Sequence, residues 1–242
     1  MKDIMFVIPF AGGSSSSYSK WNERDEYEFV YLDLPGKGKR RKQIFLTSFS
    51  AMVLDCVKQI QQYIQMGNVR KYYIWGHSMG SYLAYETTKI LFENGNLLPE
   101  YLIMSATIAP HFINLQKIKQ LLLDEKEFSD YLVEFGVIGR KVAESKYFKK
   151  NYFPMIRNDY EAMLSYKCDK NYSIKQKVLV INGKRDDILP EQVIRWGELF
   201  TEVPSYLWID GGHFFIFENT NRLFAEVRQL IKYEEDNIRD SE

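Results

Sequence analysis

A serine, a histidine and an aspartate are the side chains through which this sequence can do chemistry. Gly76-His77-Ser78-Met79-Gly80 fits the pattern G-x-S-x-G, which alone would turn up in a chain this long with a probability on the order of 0.1 at ordinary glycine usage. Its setting is more specific. The compact apolar run Lys71 to Trp75 leads directly into it and an amphipathic segment starts directly after it, the strand, turn and helix of a nucleophile elbow. Two glycines then permit a tight turn without Cβ clashes, Ser78 projects its Oγ above the sheet, and the Met79 N–H faces a developing oxyanion.

A serine hydroxyl needs a base, and the chain has three histidines. His77 lies inside the elbow, where the turn points its side chain away from Ser78, and reads as a packing or supporting residue. His111 follows Ala109-Pro110 after a strand; it could line a pocket but comes too early in the chain. His213, in Gly211-Gly212-His213-Phe214-Phe215, follows the last strand-like run and precedes the final helix, where a loop lays an imidazole over the elbow. His213 is the expected base. The third partner should be a carboxylate at a strand end between Ser78 and His213, and Gly183-Lys184-Arg185-Asp186-Asp187 follows the run Lys177 to Asn182. Either aspartate can accept the imidazole N–H; Asp186 is preferred and Asp187 is second, the unused one being a solvated charge or a helix N-terminal carboxylate ahead of Pro190. A second oxyanion donor should come from Pro9-Phe10-Ala11-Gly12-Gly13, with the Ala11 N–H preferred and Phe10 as the alternative.

These residues need a scaffold that gathers distant loops. Ile4 to Phe10, Glu28 to Leu32, Lys71 to Trp75, Tyr101 to Ser105, Lys177 to Asn182 and Tyr206 to Ile209 are short, almost continuously apolar runs, as parallel strands covered on both faces require. Between them, Phe49 to Gln65 and Met79 to Asn94 repeat apolar residues every three or four positions, and Gln192 to Phe200 and Thr220 to Glu235 do the same. Strands alternating with helices predict a single α/β domain, a mostly parallel sheet with helices on both faces. From about residue 112 to 170 the alternation stops. Leu115 to Leu123, Glu125 to Phe135 and Asp159 to Tyr166 read as helices separated by Gly136, Gly139 and Pro154, an insertion placed to act as a lid over the strands' carboxyl ends. Gly12, Gly13 and the run Ser14 to Ser17 read as a flexible loop after the first strand.

Composition narrows the partners. The 242 residues carry 32 Lys+Arg against 32 Asp+Glu, so the chain lacks the positive field by which nucleic-acid binders reach phosphates. Cys56 and Cys168 belong to no C-x-x-C and read as reduced thiols rather than a zinc or redox site. No apolar run approaches a membrane span and the N-terminus has no signal-peptide pattern, so a cytoplasmic protein is expected.

Taken together, the motifs resemble those of the type II thioesterases, stand-alone α/β-hydrolases that accompany polyketide and nonribosomal peptide synthetases. Pro9 to Ser14 resembles the family's oxyanion loop, Leu34-Pro35-Gly36 with the basic residues after it resembles L-P-G-R, Ala109-Pro110-His111 resembles A-P-H, and Pro154 to Asp159 resembles the lid-region P-x-L-R-A-D. Gly76 to Gly80 and Gly211 to Phe215 read as G-H-S-M-G and G-G-H-F-F do in that family. The resemblance implies a cytoplasmic α/β-hydrolase that edits acyl-loaded carrier proteins by hydrolysing the phosphopantetheine thioester, with no metal or organic cofactor. A general oxygen esterase and a catalytically silent carrier-protein-binding module are the rival readings. Two departures stand out: Ala106 replaces a frequent glycine, and Lys37, Lys39, Arg40, Arg41 and Lys42 make an unusually basic segment, read as a solvated loop or as a contact for a phosphopantetheine phosphate or an acidic carrier face.

Overall fold

The computed structural model describes residues 3–67, 69 and 71–239. Its sheet contains β1 (Asp3–Ile8), β2 (Tyr27–Tyr31), β3 (Tyr72–His77), β4 (Tyr101–Ser105), β5 (Val178–Gly183) and β6 (Ser205–Ile209) in the order β2-β1-β3-β4-β5-β6. Every pairing between them is parallel, so all six strands end on the same edge. The chain first steps outward from β1 to β2 and then returns across β1 to place β3. Loops leaving β1 and β3 therefore diverge, opening the crevice where sheets of this kind hold ligands.

Alternate residues of each strand face opposite layers. Phe6, Ile8, Ile74, Met104 and Val180 join one buried cluster with α1 (Phe49–Met66) and α2 (Met79–Glu93). Met5, Val7, Trp75, Ile103 and Ile181 join the other with α9 (Thr220–Arg239). Helix α1 buries Met52, Val53, Cys56, Val57 and Ile60, the predicted stripe, and starts where the Ser48 side chain accepts the Ala51 N–H.

Between β4 and β5 lie α3 (Leu115–Leu121), α4 (Glu125–Glu134), α5 (Arg140–Ala143), α6 (Lys146–Asn151) and α7 (Phe153–Met163), with a small core of their own built on Leu122, Phe128, Leu132, Phe148, Phe153 and Ile156. The expected helix from Asp159 instead begins at Phe153. Pro154 does not separate elements but occupies the first turn of α7, where a missing N–H costs nothing. The expected helix Gln192 to Phe200 is a short α8 (Pro190–Val193) continued as a 3-10 helix, Ile194–Leu199.

The flexible loop expected at Ser14 to Ser17 is also a misreading. Ser15–Glu23 is 3-10 helical with a kink at Tyr18, and its start is fixed because the Ser15 N–H and hydroxyl both donate to buried Asp33 at 2.7 Å. Glycine and serine announced a turn, but the acceptor that orders it lies on another loop.

Close backbone approach explains the elbow's glycines. A Cβ on Gly80 would strike the Ile8 carbonyl of β1, and one on Gly76 would strike the Gly80 carbonyl. Neither obstacle is a movable side chain. Gly80→Ala should destabilise the protein by about 2 kcal/mol or more, lowering Tm by roughly 4–8 °C; an unchanged thermal midpoint would show that β1 can move aside.

Candidate active site

Register delivers the predicted residues to one place. Ile8 pairs with Gly76, so Ala11 and Ser78 leave adjacent strand ends, and Gly183 pairs with Ile209, so the loops carrying Asp186 and His213 start side by side. Ser78 occupies the left-handed region, at φ 54° and ψ −120°, which lifts its side chain out of the path from strand to helix. Its N–H donates to the Ser105 carbonyl at 2.8 Å. His213 Nε2 lies 3.0 Å from Ser78 Oγ, and His213 Nδ1 lies 2.9 Å from Asp186 Oδ2. The Asp186 side chain is 2% exposed, whereas Asp187 faces solvent. Asp186 is thus the aspartate brought to the imidazole.

Ser78 and His213 border a cavity of about 200 Å³. Ala11 and Met79, the two expected oxyanion donors, line it as well, and Phe10 does not. Among the hydrogen bonds of the described residues neither donor's N–H is committed; Met79 is the first residue of α2 and has no acceptor within its helix. The rest of the wall is mostly apolar and aromatic, with Thr107, Asn114 and Lys117 as its polar members. Tyr82 and Ile188 come from the sheet side, and Ile118, Tyr131, Phe135 and Met163 come from the inserted helices. Phe135 packs edge-on against His213, with ring centroids 4.6 Å apart. Residue order alone marks the insertion but not these wall residues, whose meeting depends on how the inserted helices fold over the sheet.

The other histidines sit as their chain positions imply. His77 is fully buried, with Nδ1 2.8 Å from Ser105 Oγ, and packs among Phe10, Phe214 and Phe217 beneath the His213 loop. His111 is outside the cavity wall, with Nε2 3.2 Å from Glu198. Ala106 lines the cavity with φ 52°, so the resemblance's frequent glycine belongs to a backbone shape that alanine must tolerate here.

The solvated reading of the basic segment needs correction for two of its five cations. Lys37 is buried and ion-paired with Asp159 of α7, and Arg40 holds Asp55. Only Lys39, Arg41 and Lys42 remain exposed. Among the described residues no His, Cys, Asp and Glu cluster is arranged to hold a metal ion, and no helix is long and apolar enough to cross a membrane.

A family model described as a thioesterase domain matches residues 3–231. The chain belongs to the thioesterase family. This thioesterase is 30% identical over 224 residues to the human medium-chain S-acyl fatty acid synthase thioesterase, covering 90% of this chain and 82% of that protein. It is 26% identical over 218 residues to the gramicidin S biosynthesis protein GrsT of Aneurinibacillus migulanus, covering 89% and 83%. Among solved structures, YbtT, a type II thioesterase of a yersiniabactin pathway, superposes with a TM-score of 0.84 at 24% identity, covering 96% of this chain and 94% of that one. The likeness establishes the α/β-hydrolase fold for this thioesterase.

Burial, with His213 beside it, pushes the His77 imidazole well below the usual histidine range. It stays neutral in the thioesterase fold, while the unfolded chain takes up a proton below about pH 6.5. This contribution is constant above that pH and falls below it, by at most about 1.4 kcal/mol per pH unit. Thermal unfolding between about pH 7.5 and 5.5 should show the decline, and His77→Asn should flatten it. A pH dependence identical in the variant would assign the effect elsewhere.

Proposed function

We propose that the protein hydrolyses acyl thioesters on the phosphopantetheine arm of carrier proteins, clearing stalled acyl groups from polyketide or nonribosomal peptide assembly lines in the cytoplasm. The observation that carries this reading is the hydrogen-bonded line from Ser78 through His213 to Asp186 at the edge of an apolar cavity. Relatives named for biosynthetic pathways support the biological setting: the gramicidin S biosynthesis protein GrsT and the probable anguibactin biosynthesis thioesterase AngT of Vibrio anguillarum.

In this mechanism His213 Nε2 takes the Ser78 proton as Oγ attacks the thioester carbonyl. Asp186 fixes the imidazole tautomer and stabilises the imidazolium. The Met79 and Ala11 N–H groups receive the tetrahedral oxyanion. Collapse expels the pantetheine thiol, which takes its proton from His213; with a thiol pKa of about 8.5 it leaves more readily than an alcohol. Water, deprotonated by the same imidazole, then frees the acid and restores Ser78. The inserted helices serve as the lid: Ile118, Phe135 and Met163 cover the acyl chain and limit the water reaching the acyl-serine.

Acid release from acyl-loaded carrier proteins, followed by intact mass, tests this directly. Ser78→Ala should lower kcat by about 10⁴-fold or more, and undiminished turnover would sink the serine mechanism. An oxygen-ester analogue should be hydrolysed more slowly than the acyl-pantetheine thioester; the reverse preference, without carrier-protein activity, would make the protein a general esterase.

A further inference from the structure

Two features left outside the mechanism meet behind the oxyanion loop. Lys37, from the basic segment, and Asp159, from the lid helix α7, form an ion pair in which both side chains are almost wholly excluded from solvent. The same carboxylate oxygen, Asp159 Oδ2, accepts the Gly12 N–H at 2.6 Å. Asp159 Oδ1 is buried without a partner. A buried pair of this kind contributes little net stability, because apolar side chains of similar volume do as well. Its location is more informative than its energy.

The Gly12 N–H belongs to the peptide that leaves Ala11, so an acceptor fixed on it fixes the ψ of Ala11. The Gly13 N–H closes back on the Phe10 carbonyl at 2.7 Å. These two bonds bracket Ala11, whose own N–H is uncommitted and which itself lines the cavity. Helix α7 grips the loop twice on one face: Ile156 fills the space where a Gly12 Cβ would stand, and Asp159, one turn on, takes the amide. Met163, one further turn along that face, lines the cavity.

We infer that Asp159 is a positioning residue that holds the Ala11 N–H for the oxyanion, and that Lys37 cancels the charge this carboxylate would otherwise set against the developing anion. The oxyanion hole is complete only while α7 is docked. A lid helix that covers the acyl chain thereby also supplies the anchor for the catalytic amide. This inference rests on the serine mechanism proposed above.

The test compares two electrically neutral double variants, Lys37→Met with Asp159→Asn and Lys37→Met with Asp159→Leu. They differ in whether Gly12 keeps an acceptor. Two probes separate positioning from structure: an alkyl trifluoromethyl ketone, to whose carbonyl Ser78 adds to give a tetrahedral oxyanion while His213 takes the proton, and the matching acyl-chain thioether, which has no carbonyl. The Leu-bearing variant should lose about 10²-fold in both kcat and ketone affinity, with thioether affinity unchanged, while the Asn-bearing variant stays within about tenfold of wild type. Equal kcat and ketone affinity in the two variants would overturn the inference.

A second comparison does not depend on the apolar replacement folding. Lys37→Met alone leaves the Asp159 charge bare behind the oxyanion and should weaken ketone binding, and adding Asp159→Asn should restore it; absence of that rescue also overturns the proposal. Ser78→Ala run alongside keeps the two readings apart. Retained hydrolysis there removes the mechanism itself, whereas its loss together with indistinguishable double variants removes only the role of Asp159 and Lys37.

Discussion

A serine held at a positive φ is the constraint around which this molecule is organised. An L-residue in that backbone region costs of order 1–3 kcal/mol and persists only where its surroundings over-determine it. Here the surroundings do so from every side. Strand β3 enters from below, β1 closes against Gly80, and the Ser105 carbonyl of β4 takes the Ser78 amide. Ser81 completes the clamp: its Oγ lies 2.9 Å from the Gly76 carbonyl and 3.1 Å from that of Ser105, and it accepts the Ser105 N–H at 3.1 Å. Small buried residues are needed because only they allow three strands and a helix to meet so closely. The projection of Ser78 Oγ to the cavity edge beside His213 is the geometric result of that crowding.

The same crowding decides what packs beneath the site. Ser105 Oγ accepts the Trp75 indole N–H at 2.9 Å and sits against His77, tying the elbow to the aromatic layer of Trp21, Trp75 and Phe224 on the face covered by α9. Ala106 repeats the positive φ at the end of β4. Two neighbouring strands thus end in strained residues on the cavity rim. Strain here is concentrated where the strand ends meet the cavity, and the two apolar layers on either side of the sheet stabilise it.

Much of this could be read from residue order alone. Near-continuous apolar runs identified the parallel strands because both sheet faces are covered, and helices long enough to show a stripe, such as α1 and α2, declared themselves. Helices α5 and α6, of four and six residues, are too short for any periodicity to appear. Ser78 and His213 were legible because their local sequence dictates their turns. Choosing Asp186 over Asp187 took the structure, since burial there depends on how the loops after β5 and β6 lie against each other. Lys37 was the least legible. Five cations in six positions look solvated, and the partner that draws one of them inside is 122 residues away.

The inserted helices have a core separate from the two that flank the sheet. Helix α7 belongs to both worlds, contributing Phe153 and Ile156 to the small core and Ala162 and Met163 to the large one. Substitutions in α3 to α6 therefore repack the small core while the large one keeps its packing. Only α7 is denied that freedom, because any change along it is felt in two cores at once. The architecture separates a variable roof from a fixed floor and joins them through a single beam.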